Sequence, residues 1–165
     1  MKQIKNILFP MRFTDYSLSA LEYAIAFARG LRSRLHLLHV ITGQEAATFD
    51  ELNEFFHTIL DESEAGPGRS LLDQVDLVKV HVRDESVGTG IVRYARDVKM
   101  DLILMASSSH SPDPPVSFAG TVRLVMSAGV CPVLILWEPE SPSQHRSQFE
   151  MSLPEIRKEI SSKRG

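Results

Sequence analysis

Met100 to Leu136 reads MDLILMASSSHSPDPPVSFAGTVRLVMSAGVCPVLIL, and the architecture is decided in this stretch. Asp101 opens a short apolar run, Leu102–Met105, which gives way at once to the small hydroxylated Ser107–Ser109. A connection rich in proline follows, with Pro112, Pro114 and Pro115. Phe118, Val122, Val125 and Met126 then recur at helical spacing, Gly129 breaks the pattern, and Pro132 leads into the apolar run Val133–Trp137. Strand, loop, helix and strand in that order form a βαβ unit whose apolar strands must be covered on both faces. In such units the strand tip facing the next helix is where phosphates are held.

Working outward toward the N-terminus, Ile4–Phe9 is a compact apolar run bounded by Pro10, a first strand. Thr14 or Asp15 is suited to cap the helix that follows. Its apolar stripe is Leu18, Leu21, Ile25 and Ala28, with Ala24, Phe27 and Leu31 beside it, and Gly30 stands where a C-terminal glycine is expected. Leu35–Ile41 is a second buried strand. His36 and His39 lie three apart in it, so they point to opposite faces and do not share a metal. Glu45 to Glu64 reads as a second helix with Phe49, Leu52, Phe55, Phe56 and Leu60 inward, and Ala65–Gly68 as a loop. Val75–Val82 alternates like a half-exposed strand, and Ile91, Tyr94, Ala95 and Val98 mark a third helix. The alternation predicts an α/β fold: a Rossmann-like, doubly wound, five-stranded parallel sheet of order 3-2-1-4-5 with helices on both faces.

Composition restricts the function. The chain has 165 residues, 43% hydrophobic and 24% charged, with a formal net charge of -3. That is one soluble domain without the electrostatic footprint of a nucleic-acid binder. A single cysteine, Cys131, forms no internal disulfide and fits a reducing compartment. No apolar run approaches the ~20 residues that span a bilayer. The apolar part of MKQIKNILFP ends at Pro10, too early for a secretory leader, so a cytoplasmic location without membrane attachment is expected. Residues 1–137 read as the domain and residues 138–165 as a linker (EPESPSQ) with a short helix. In that helix Ser152 and Glu155 form a capping box and Leu153, Ile156 and Ile160 a thin apolar stripe.

Catalytic readings find little support. Ser107–Ser109, His110 and Asp113 include the parts of a nucleophilic triad, but five neighbours in one loop rarely converge, and no G-x-S-x-G elbow is present. His57, His81 and His145 lack metal-ligand spacing. Cys131 at the start of a buried strand is read as packing. No catalytic or metal site is expected.

Lys5–Pro10 (KNILFP), Asp101–Met105 (DLILM) and Cys131–Leu136 (CPVLIL), placed between these helices, resemble the universal stress protein family over roughly residues 3 to 137. The resemblance implies a small Rossmann-like domain that dimerises, often by pairing last strands, in a family of which only part binds ATP. Its ATP-binding members carry Gly, two residues, Gly, nine residues, Gly, then Ser or Thr after the fourth strand. Glycines there let backbone N–H groups approach phosphates. The matching positions here are Ala106, Ser109, Ala119 and Gly120; moving by one residue recovers Gly120–Thr121 as a Gly-Thr pair but lengthens the spacing. Arg12 occupies the place of an acidic residue that would face the nucleoside.

The resemblance therefore implies a nucleotide crevice lined by Pro10, Arg12, Val40, Met105, Ala106, Ser109, Gly120 and Thr121, with its loop degenerate. The expected function is that of a non-catalytic stress-response homodimer joined through Val133–Trp137, acting with a protein partner. No cofactor is expected, ATP or AMP binding being weak. The alternative is a nucleotide-dependent sensor that binds ATP or AMP.

Overall fold

The computed structural model describes residues 3–11, 15–43, 75–107 and 116–137. The helix read over residues 45–64 and the segment 138–165 lie outside the described residues. Five strands, β1 (Asn6–Pro10), β2 (Arg34–Thr42), β3 (Leu77–Asp84), β4 (Leu102–Ser107) and β5 (Val133–Trp137), form one sheet of order β3-β2-β1-β4-β5. Every pairing is parallel, as the sequence predicted. Three described helices accompany it: α1 (Asp15–Leu31), α2 (Val87–Asp97) and α3 (Val116–Ala128).

The period-two alternation of the strands divides the core into two layers. Ile7, Phe9, Leu35, Leu37, Leu102 and Leu104 face α1, where Ala20, Leu21, Ala24, Ile25 and Ala28 meet them. Leu8, Leu38, Val40, Ile103 and Met105 face the other way, onto Ile91 and Ala95 of α2 and Val125 of α3. Leu8, Phe9, Leu37 and Leu104 are wholly inaccessible. Each such side chain contributes about 1.5–3 kcal/mol of transfer free energy, so both-face burial is what holds this sheet.

Polar contacts fix the strand starts. Asp101 Oδ2 accepts the backbone N–H groups of Lys5 (3.0 Å) and Asn6 (3.1 Å), tying the head of β1 to the approach to β4. Ser33 Oγ donates to the Ile4 carbonyl at 2.7 Å.

Two details depart from the sequence reading. Phe27 and Leu31 of α1 and Met126 of α3 are exposed (41%, 38% and 57%). They stand at the margins of apolar stripes wider than the arc each helix buries. The helix α1 does not end on Gly30: it runs to Leu31, and Arg32 takes the left-handed position after it, with φ 53°. The hydrogen bonds Arg32 N–H to Arg29 O (3.1 Å) and Ser33 N–H to Ala28 O (2.8 Å) place the turn there. Asp15 is the first helical residue and Thr14 lies outside the described residues.

Candidate functional site

The carboxyl ends of the parallel strands open on the side where open α/β sheets bind ligands. At the tip of β1, Pro10 is aligned with Leu38, and the chain bends over β2 with Met11 N–H donating to the Leu38 carbonyl at 2.9 Å. His39 Nδ1 lies 3.3 Å from the Met11 carbonyl, a contact in which the ring nitrogen donates.

Val40 and Met105 are buried in the layer under α2 and α3, while Ala106 packs into the opposite layer, against the α1 side. The sheet thus brings Pro10, Val40 and Met105 to its carboxyl end and turns Ala106 away from Met105. Gly120 and Thr121 lie inside α3, the fifth and sixth residues of that helix. Gly120 is exposed with open space around it, and Thr121 is half-buried. Arg12 and Ser109 lie outside the described residues. The first four N–H groups of a helix are free to meet an anion; the fifth is bonded to the first carbonyl. Gly120 therefore presents no free N–H.

The sequence reading missed the tip of β3. Asp84, its last residue, has a side chain only 9% accessible and fully engaged. It accepts from the Thr89 hydroxyl, from Glu85 N–H at 2.8 Å and from Arg93 Nη2 at 3.0 Å. Arg93 Nη2 also donates to the Arg83 carbonyl at 2.7 Å. The Thr89 hydrogen bond, followed by the Glu85 amide and the Arg93 charge, holds the Asp84 carboxyl below its usual range against the opposing effect of burial. Ser86 caps α2: its hydroxyl accepts the Thr89 N–H at 3.1 Å and the Thr89 side chain returns to the Ser86 N–H. A capping box closed by threonine instead of glutamate is the one sequence signal that could have shown this junction. Behind it Gly90 meets the sheet so closely that a Cβ there would lie 2.7 Å from Val40 Cγ1.

The histidines do separate by face. On the α2 side, buried His36 is bonded through Nδ1 to the Tyr94 hydroxyl at 2.9 Å. Burial, then the Arg34 charge, lowers its pKa, with Asp76 opposing, and burial raises that of Tyr94. On the other side His39 and His81 stand edge to face with ring centroids 6.0 Å apart. Burial first and the His39 charge second push His81 down to about 4. Among the described residues no three His, Cys, Asp or Glu side chains gather as a metal site, and no helix is long and apolar enough to cross a membrane.

Comparison with known proteins gives the fold a family. The universal stress protein family matches residues 3–136 of this chain. Among solved structures, UspA from Lactobacillus plantarum is 18% identical with a TM-score of 0.58, over 82% of this chain and 99% of that one. A universal stress protein in complex with cAMP is 17% identical (TM-score 0.58; 82% and 98% covered). The universal stress protein from Archaeoglobus fulgidus in complex with dAMP is 15% identical (TM-score 0.55; 81% and 98% covered). No curated protein sequence matches the chain.

Proposed function

The chain belongs to the universal stress protein family, and from that premise we propose that it acts as a non-catalytic homodimer, joined edge to edge through β5, which works through protein contacts. The observation that carries this reading is the β5 edge. Val133–Trp137 pairs with β4 on one side, has no charged residue, and leaves Leu134 36% and Ile135 38% exposed. Among the described residues this apolar edge is open, a template for another strand, and a second copy of β5 would satisfy its backbone groups and cover its side chains. Light scattering at micromolar concentration tests this. Twice the 18.5 kDa chain mass is expected, and a monomer overturns the proposal.

Adenine-nucleotide binding is the second reading, favoured by relatives whose structures hold cAMP and dAMP. In our reading the crevice binds ATP or AMP weakly. Gly120 lies one turn inside α3, and the two earlier glycine positions of the motif are Ala106 and Ser109. Each lost hydrogen bond to a charged phosphate costs roughly 1.5–3 kcal/mol, so two losses move a micromolar site to near millimolar. Calorimetry should give a Kd far weaker than about 10 µM. Tighter binding of ATP that Thr121→Ala weakens would show that this crevice is a working nucleotide site.

A further inference from the structure

At the amino end of the sheet, opposite the crevice, α1 runs into β2 through Arg29, Gly30, Leu31, Arg32, Ser33 and Arg34. Arg29, Arg32 and Arg34 line an open cavity of about 400 Å³ together with Ala28, Ser33, Val75 and Asp76. Arg34 Nε is paired with Asp76 Oδ2 at 2.6 Å. Among the described residues Arg29 and Arg32 have no carboxylate within ion-pair distance. The Ser33 hydroxyl is already committed to the Ile4 carbonyl. Among the described residues three guanidinium groups and one carboxylate therefore share the cavity, a surplus of two positive charges.

The end of a helix accounts for part of this. Its carboxyl terminus carries about half an elementary negative charge, and one basic residue in the last turn offsets it; Arg29 holds that place. Arg32 is a different matter. It occupies the left-handed position with φ 53°, where glycine fits without a Cβ penalty. The α3 helix ends in the ordinary way, on Gly129 at φ 59°, whereas α2 is followed by Lys99, also left-handed at φ 59°. A glycine is present in α1 as well, but two residues too early to relieve the turn. Arginine at this position costs backbone energy and returns no ion pair among the described residues. What it supplies is a third cation at the cavity.

We propose that this cavity is an anion site, separate from the crevice, that takes the phosphate chain of an oligophosphate. Guanidinium groups offer forked N–H donors that match phosphate oxygens, and among the described residues nothing occupies those of Arg29 and Arg32. Free oligophosphate and the tail of a nucleotide share this chemistry.

The test is calorimetry on the whole chain with inorganic tripolyphosphate, in parallel with ATP and adenosine. Saturable tripolyphosphate binding is expected, weakening as salt is raised. The pair Arg29→Ala and Arg32→Gly should weaken it at least about tenfold. Arg32→Gly suits the left-handed turn, so that variant melts no lower than wild type and a loss of binding is not a loss of fold. An ATP isotherm that the same pair weakens, with none for adenosine, assigns the cavity to a nucleotide tail. Tripolyphosphate binding without an ATP counterpart assigns it to free oligophosphate. Absence of saturable tripolyphosphate binding by about 1 mM, a free energy near -4 kcal/mol, or binding that survives both substitutions, overturns the proposal.

Discussion

β3 closes one side of the sheet and β5 the other, and their sequences are made of different materials. LVKVHVRD places Lys79, His81, Arg83 and Asp84 along the first edge, whereas VLILW places no ionisable group on the second. Each strand pairs with a single neighbour in the described sheet. Charge along an edge discourages the docking of another strand, and apolar residues invite it. The two edges therefore suit different roles. The β3 edge is bound into the domain through Asp84, Arg93 and Thr89, and the β5 edge is the one proposed above for assembly. Damage at β3 should therefore change stability without changing mass, and damage at β5 should do the reverse.

The largest effect is expected at β5. Leu134→Lys places a charge in the proposed interface, where it would be buried without a partner. The dimer Kd should rise at least about 100-fold, roughly 2.7 kcal/mol, while the melting point of the domain stays close to wild type. A concentration series by sedimentation checks both halves. An unchanged mass would break the comparison.

At the β3 side the expected effect is on folding. Gly90→Ala drives a methyl group to 2.7 Å from Val40 Cγ1, 3.0 Å from Val40 Cγ2 and 3.2 Å from Asp84 Cβ. Overpacking of this kind costs about 1–3 kcal/mol, less up to about 1 kcal/mol regained from helix propensity. With about 2–4 °C of Tm per kcal/mol in chains of this size, calorimetric melting should fall by several degrees. The dimer mass should not move.

The third effect is on pH response. His81 sits on β3 with its pKa pushed down to about 4 from an unfolded value of 6.5, and His36 is lowered as well. Across that window the unfolded chain binds more protons than the folded one, so stability falls as pH falls below about 6.5 and levels off for His81 near 4. The Asp84 carboxyl acts lower, its contribution lost only as pH drops through its own depressed pKa. Thermal melts from pH 7.5 to 4.5 should show the decline in wild type and a smaller one in His81→Gln. The dimer Kd should stay level over the same range where the fold remains intact, since β5 carries nothing that titrates. A melting curve flat with pH would remove the histidine from the account.

How much of this was legible in the sequence follows from what each feature is made of. The mostly apolar stretches Ile4–Phe9, Leu35–Ile41 and Leu102–Met105 gave strand positions, because apolar residues at successive positions mark strands buried on both faces, and the alternation with helices gave the order. Helix boundaries were less readable. Gly30 looked like a stop, yet the turn is set by the hydrogen bonds of Arg32 and Ser33 to Arg29 and Ala28, which no composition announces. Phe27, Leu31 and Met126 fit a periodicity of 3.6 but fall outside the arc the sheet covers. The strand tips Pro10, Val40 and Met105 could be placed by counting along β-strands. The Asp84 junction could not, because it depends on a turn that folds Thr89 and Arg93 back onto one carboxylate.

Hydrogen exchange at β5 decides whether a second copy pairs with this edge. Ile103 N–H donates to the Pro132 carbonyl, and a parallel ladder continuing from it turns the N–H groups of Leu134 and Leu136 toward β4 and those of Val133, Ile135 and Trp137 outward. If a second copy pairs with this edge, outward amides within the paired stretch, Ile135 at its centre, will be protected in concentrated protein and lose that protection on dilution. Protection confined to Leu134 and Leu136 at every concentration would contradict the account, even for a protein that sediments as a dimer.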